Sequence, residues 1–383
     1  MLPMSRRIRQ PQPNLKHIQR CVFWASVCRL GAMLVLLAVL AACGYSNARY
    51  QWDQRWFEAE RLADHGSYAQ ARPLYEALLK DAHSPKDARM IRYRLAVLTE
   101  RQGQYRKAVA LYEALWQDGQ RDEISGQAVT KAARLMAEEL DAEAEGMRLW
   151  EELLVRMPEA VGADNARKNL MSRWLAEGDK VAVANIERLY SVLHDSVQGD
   201  NLLYDRAKIM RRNGFLEEAK ASYRKILETY PSSGFRDDAR WLLAEILHGE
   251  GRFDEALNEL RILAEDREVA WLLGSYDYDW NDNARYWRAL IFLHDLKRPL
   301  RAVQEFELYL KEYPTSIWRD DVRWNIAQSY LRADDGAAAA GACRDLEEIE
   351  PESRWVDDCQ ALRGRLEAGE APSALLGKVV TQQ

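Results

Sequence analysis

The chain has 383 residues, a formal charge of −6 and only five cysteines. Ala, Leu, Glu and Arg are abundant and Gly and Pro are sparse, while thirteen Trp and seventeen Tyr are many for this length, which favours an all-helical protein with large aromatic packing groups. The first 42 residues carry six basic and no acidic side chains, leaving 48 basic against 60 acidic beyond them, a net −12; a general nucleic-acid binder needs a basic footprint, and this chain lacks one.

The N-terminus reads as an address. Residues 1–29 carry Arg6, Arg7, Arg9, Lys16, Arg20 and Arg29, and the apolar run Leu30–Leu40 ends in Leu40-Ala41-Ala42-Cys43. A positive flank, a short apolar core and small residues at a cut site form a secretory signal. The run is about thirteen residues, short of the roughly 20 a spanning helix needs. Leu40–Cys43 resembles the bacterial lipobox. That resemblance implies cleavage before Cys43, acylation of its sulfur and amine by fatty chains, and stable anchoring by several chains where one would not suffice. With Gly44 after the cysteine, the implied destination is the outer membrane of a Gram-negative bacterium, facing the periplasm. An uncleaved anchor over residues 21–42 is the competing reading. Residues 43–51 form a lipidated tether on the first reading.

Beyond residue 51 a small residue followed four later by a large one recurs: Ala71/Tyr75, Ala108/Tyr112, Gly146/Trp150, Ala219/Tyr223, Ala256/Leu260, Ala302/Phe306 and Ala339/Cys343, with a degenerate copy at Val183/Glu187. The steps are 37, 38, 37, 36, 37, 46 and 37 residues. Five residues before the small residue stands Gly66, Gly103, Gly178, Gly214 or Gly251, and twelve after it Pro158, Pro231, Pro314 or Pro351. Glycine permits the left-handed turn that ends a first helix; proline stops the second. Repeats at about 126–196 lack the aromatic signature. The long step places about nine extra residues in 268–282, a loop insertion of the kind that solenoids display on a binding face. Residues 353–369 read as a capping helix and 370–383 as a flexible tail.

This pattern resembles the tetratricopeptide repeat, whose unit is a helix pair with A-x₃-F and a closing Pro. The expected fold is all-α: a right-handed α-solenoid of about eight such pairs over residues 52–352. The phrase Tyr230-Pro-Ser-Ser-Gly-Phe-Arg-Asp-Asp-Ala-Arg-Trp241 recurs at 313–324 and weakly at 350–358. It resembles the envelope lipoproteins of the BamD and CpoB (Tol-Pal) type. In it Pro ends a helix, Ser233 or Ser316 caps the next, and the Asp pair suits the positive end of the new helix dipole.

Five histidines are scattered beyond residue 50 without ligand spacing, and no phosphate loop or nucleophile elbow is present. The motif Asp277-x-Asp279-x-Asn281 fails as a calcium loop, with Asp282 where Gly is required and Arg288 where Glu is required. No metal, cofactor or catalytic residue is expected, and an enzyme is disfavoured. Cys343 and Cys359 fall on helices that pack together, so a disulfide and two buried thiols are the alternatives.

The repeat resemblance implies that positions 2, 5, 9, 12 and 13 of each first helix line a concave groove. Position 5 holds Trp56, Tyr93, Tyr204, Trp241, Trp287 and Trp324, and Lys131 and Lys168 in the degenerate repeats. Neighbours are Lys208, Arg211, Arg212, Glu245, His248, His294, Gln328 and Arg332. Such rings suit peptide recognition; they suit stacking along the wall equally. The expected function is a lipid-anchored scaffold that binds other envelope proteins in an assembly complex, for outer-membrane protein insertion or wall coordination. The alternative is an accessory lipoprotein of a secretion, motility or polysaccharide-export apparatus.

Overall fold

The structure is a computed structural model that describes residues 49–265 and 279–376. The signal segment, Cys43, most of the expected insertion and residues 377–383 lie outside the described residues. Among those described there is no strand. The helices are α1 (residues 49–64), α2 (Tyr68–Lys80), α3 (Pro85–Arg101), α4 (Tyr105–Gln117), α5 (Glu123–Glu139), α6 (Glu143–Arg156), α7 (Ala163–Glu177), α8 (Asp179–Leu193), α9 (Gly199–Arg212), α10 (Leu216–Thr229), α11 (Arg236–Gly249), α12 (Phe253–Glu265), α13 (Asp279–Leu290), α14 (Pro299–Glu312), α15 (Arg319–Arg332), α16 (Gly336–Ile349), α17 (Val356–Glu367) and the short α18 (Pro372–Leu375). Taken two at a time, α1 to α16 are eight helix pairs.

Packing divides the chain into two compact units, one ending at Leu170 and one starting at Met171. In the first, each of α2 to α5 packs on the next helix, and α3 also touches α5. In the second, each of α8 to α16 packs on its successor, and α11 also touches α13. Contact between alternate helices lines up the first helices of neighbouring pairs into a wall. The stripe that each second helix buries is set by spacing. In α4 it is Ala108, Val109, Tyr112, Leu115 and Trp116, one face of a 3.6-residue period.

The small residue is always the fourth of its helix, and its large partner is fully buried in every pair. The small residue of the fourth repeat is Ala182, with Ile186 as its large partner; both are fully buried, whereas Val183 is half-buried and Glu187 exposed. This corrects the expected Val183/Glu187 by one residue. The cause is a turn one residue shorter: Gly178, at φ 129°, directly precedes α8. Elsewhere the turn residue has φ between 51° and 79°, and in three pairs it is not glycine: Asp141, Lys297 and Asp334.

Pro231, Pro314 and Pro351 each follow the residue that closes a helix. The serines after them do not cap. Ser233 and Ser316 accept from the backbone N–H of Phe235 and Trp318 at 3.1 and 3.2 Å, ordering a turn before the helices start at Arg236 and Arg319.

Three boundaries move. Helix α1 already includes residues 49–51, assigned above to the tether. Helix α13 starts at Asp279, inside the expected insertion, adding a turn before the repeat register begins. Pro372–Leu375 are helical, and Leu375 is fully buried beside Trp324 and Cys343, so the tail does not begin at 370.

Candidate inner-wall site

The position-five rings are tied into the fold along the wall. Three of them pack against a ring of their own pair. Trp56 meets Tyr75 edge-on at 5.8 Å, Tyr93 meets Tyr112 at 5.8 Å, and Tyr204 meets Tyr223 at 6.4 Å. A ring from the following turn then lies over several of the wall rings: Phe235 stacks on Tyr204 at 4.3 Å, and Trp355 on Trp324 at 5.2 Å. Trp318 stacks in the same way on Tyr286. Trp241 sits between Trp280 and Trp287, with centroids 4.8 and 4.9 Å away. Tyr93 and Trp324 are buried; Trp56, Tyr204, Trp241 and Trp287 keep an edge in solvent. Burial raises the hydroxyl pKa of Tyr93 and Tyr204.

Most polar groups of the wall bridge neighbouring helices. The Arg211 guanidinium donates to Glu245 at 2.7 Å, and Trp241 Nε1 donates to the same carboxylate at 3.0 Å. Arg212 pairs with Asp179. Lys208 Nζ lies 5.5 Å over the Tyr204 ring. His248 Nε2 meets Asp295 Oδ2 at 3.0 Å and its ring touches Trp287. Lys208, Arg211 and Arg212 also border a cleft of about 640 Å³ with Met171, Leu175, Asp205 and Ile209.

At the other end of this unit the donors are less fully used. Gln328 is 4% exposed and its buried Nε2 makes no hydrogen bond. Arg332 donates to the Gln328 carbonyl at 3.2 Å, and burial lowers its pKa. His294 closes α13 in a five-residue π turn, Ile291–Asp295. Burial and the charges of Arg332 and Lys297 lower its pKa. Such π turns concentrate at functional places.

Two sets of residues escaped the sequence reading. One is the turn rings Phe235, Trp318 and Trp355, which were in view inside the recurring phrase but had no partner assigned. The other is a pair of wall carboxylates in the first unit. Glu100 accepts from Tyr112 at 2.6 Å and from Lys131 at 3.2 Å, and also pairs with Arg134. Glu60 accepts from Tyr75 and pairs with Arg94 at 3.0 Å. In the third repeat, therefore, Lys131 holds by charge the place a ring holds elsewhere. Lys168 instead reaches back to Asp164 on its own helix, at 2.6 Å.

Cys343 on α16 and Cys359 on α17 are both buried and unbridged, in the same cluster. Among the described residues no group of three His, Cys, Asp or Glu side chains is placed to hold a metal ion, and no helix is long and apolar enough to cross a membrane.

Tetratricopeptide-repeat family models match residues 58–122 and 204–270 and, with a second model, 283–316. The chain therefore carries tetratricopeptide repeats in both units, and arrays of this type present extended surfaces for protein binding. It is similar to the outer membrane protein assembly factor BamD of Xylella fastidiosa. Identity to the protein of strain 9a5c is 24% over 185 residues, covering 42% of this chain and 63% of the relative. Identity to that of strain Temecula1 is 23% over the same length. The chain thus spans less than two thirds of the length of the curated relatives it matches. Among solved structures it is similar to a tetratricopeptide repeat protein from Parabacteroides merdae, with 15% identity, 82% and 98% of the two chains covered and a TM-score of 0.26. It is also similar to YrrB, described as a TPR protein with an unusual peptide-binding site, with 16% identity, 62% and 99% covered and a TM-score of 0.34.

Proposed function

We propose that this chain is a lipid-anchored, periplasm-facing scaffold that binds partner proteins through its inner wall within a cell-envelope assembly complex, and that it works without catalysis. The observation that carries this reading is the coincidence of two independent features. The repeats are similar over 185 residues to an outer-membrane assembly factor, and the leader ends in Leu40-Ala41-Ala42-Cys43. Acylation at Cys43 would hold the first repeat near a bilayer surface, because five residues separate that cysteine from Arg49, the first described residue of α1, and an extended chain of that length reaches only about 20 Å. The groups available to a partner are those the fold uses least: Lys208 with the basic cleft beside it, and His294, Gln328 and Arg332 at the far end of the unit.

The test is photo-crosslinking in intact cells from residues 208 and 294, followed by purification of the adducts. Recovery of β-barrel assembly proteins supports the proposal. Recovery of secretion, motility or polysaccharide-export components replaces it with the accessory-lipoprotein reading. Cys43→Ala should release the protein from membranes, and full retention would refute the anchor.

A further inference from the structure

We propose that Cys343 and Cys359 are a modification site: under oxidising conditions they are joined as a disulfide that staples the capping helix α17 to the last helix pair.

Two independent observations lead there. The first is placement. Cys343 lies on α16 and Cys359 on α17, two helices that pack on each other, and both are fully buried in one cluster with Ala339, Leu346, Leu362 and Leu375. The second comes from the repeat register. The place of the large residue, where Cys343 stands, is otherwise Tyr75, Tyr112, Trp150, Ile186, Tyr223, Leu260 or Phe306, all larger and all fully buried. Opposite, Cys359 stands where Ala239 and Val322 stand in earlier pairs. The last pair thus gives up a large side chain, and the facing position supplies a second sulfur. The remaining three cysteines of the chain all fall at or before residue 43, so this pair has no competing partner in the folded repeats.

The chemistry balances with a disulfide-bearing oxidant, either a small-molecule disulfide or a thiol–disulfide oxidoreductase. Two S–H bonds break and one S–S bond forms. Two electrons and two protons pass to the oxidant, whose disulfide becomes two thiols. The neighbouring Cys343 and burial hold the Cys359 thiol far above its ordinary range. Thiolate is therefore scarce while α17 is docked, and exchange proceeds as α17 docks or transiently opens. The staple would also fix the end of the wall, because the turn into α17 sets Trp355 on Trp324 and Arg354 on Asp321.

The cellular form of this proposal rests on the periplasmic reading above, so the test has two arms. In one, the full chain is recovered from cells under acid quench, alkylated with N-ethylmaleimide and digested without reductant. The expected product is a cross-linked peptide pair containing Cys343 and Cys359, lighter by two hydrogens than the free thiols and carrying no label. In the other, the reduced purified protein is incubated with oxidised glutathione, with and without mild urea. The expected result is the same cross-link, formed faster in urea, with slower amide exchange across residues 356–367. Cys343→Ala and Cys359→Ala should exchange like the reduced wild type in either buffer. Two labelled thiols in the second arm, in urea as well as buffer, overturn the proposal. So does a difference between wild type and the alanine variants that is the same with and without reductant. A cross-link in the second arm alone upholds the pair and refutes the periplasmic placement.

Discussion

Gly146→Ala is the substitution on which consensus and packing give opposite answers. At the same place in the other seven pairs stand Ala71, Ala108, Ala182, Ala219, Ala256, Ala302 and Ala339, all fully buried. Helix propensity alone favours alanine by about 1 kcal/mol, and replacement toward consensus usually stabilises. Here a Cβ built on Gly146 would lie 2.5 Å from the Ala133 carbonyl oxygen and 3.2 Å from the Ala137 Cβ and N. Two of those atoms are backbone of α5, which cannot swing aside as a side chain can. Relief requires α5 and α6 to separate, and overpacking of this kind costs about 1–3 kcal/mol. A backbone clash belongs at the upper end, so the expected net loss is about 2 kcal/mol. The control is the same change at Gly364 on α17, where a Cβ meets nothing within 4 Å; it should gain about 0.5–1 kcal/mol. Urea unfolding followed by circular dichroism, with peptide-level hydrogen exchange on α5 and α6, reads both. A Gly146→Ala protein as stable as wild type would show that the two helices do not approach as described.

Other outcomes are as direct. Lys297→Gly and Asp334→Gly replace residues held at φ 51° and 59° and should each stabilise by about 0.5–1 kcal/mol, the relief of left-handed strain less the entropy glycine adds to the unfolded chain; the urea midpoint measures it. Trp241→Ala removes contacts with Trp280 and Trp287 and the hydrogen bond to Glu245. It should cost about 2 kcal/mol or more, and unchanged melting would assign Trp241 to partner binding alone. Asp238 is half-buried on α11, and burial raises its carboxyl pKa against the opposing charge of Lys208. A raised folded pKa means that its contribution is full below the unfolded value and is lost as pH rises through the folded one. Asp238→Asn should therefore raise the melting temperature at neutral pH, and the gain should vanish below pH ~4. A gain that persists in acid would refute that assignment.

The repeat register was legible because it is written in backbone needs that few residues meet. The small–large spacing, the left-handed turn and the closing proline located all eight pairs, and slipped only at Ala182. There a turn lost one residue, and two adjacent small residues, Ala182 and Val183, made either register fit. The wall positions were legible as positions, but their partners were not. Which ring covers Tyr204 depends on how the turn before α11 folds back, and Phe235 contacts it from 31 residues away in sequence. The carboxylates Glu60 and Glu100 were invisible for the opposite reason. Each is one acid among sixty, and only three-dimensional proximity to a tyrosine of its own pair and an arginine of the next separates it from a solvated surface charge.

The turn rings also say how such an array could gain or lose units. Phe235 and Trp355 each cross a junction, carried by one pair and spent on the wall ring of the pair before. A duplication or deletion that breaks the chain after a turn ring and before the next wall ring, between Phe235 and Trp241, keeps Tyr204 and Phe235 on one side. A break placed at the proline would part them, leaving one ring bare to water and another without a seat. Chimeras cut in the two registers, at residue 238 and at residue 231, should differ in solubility for this reason alone.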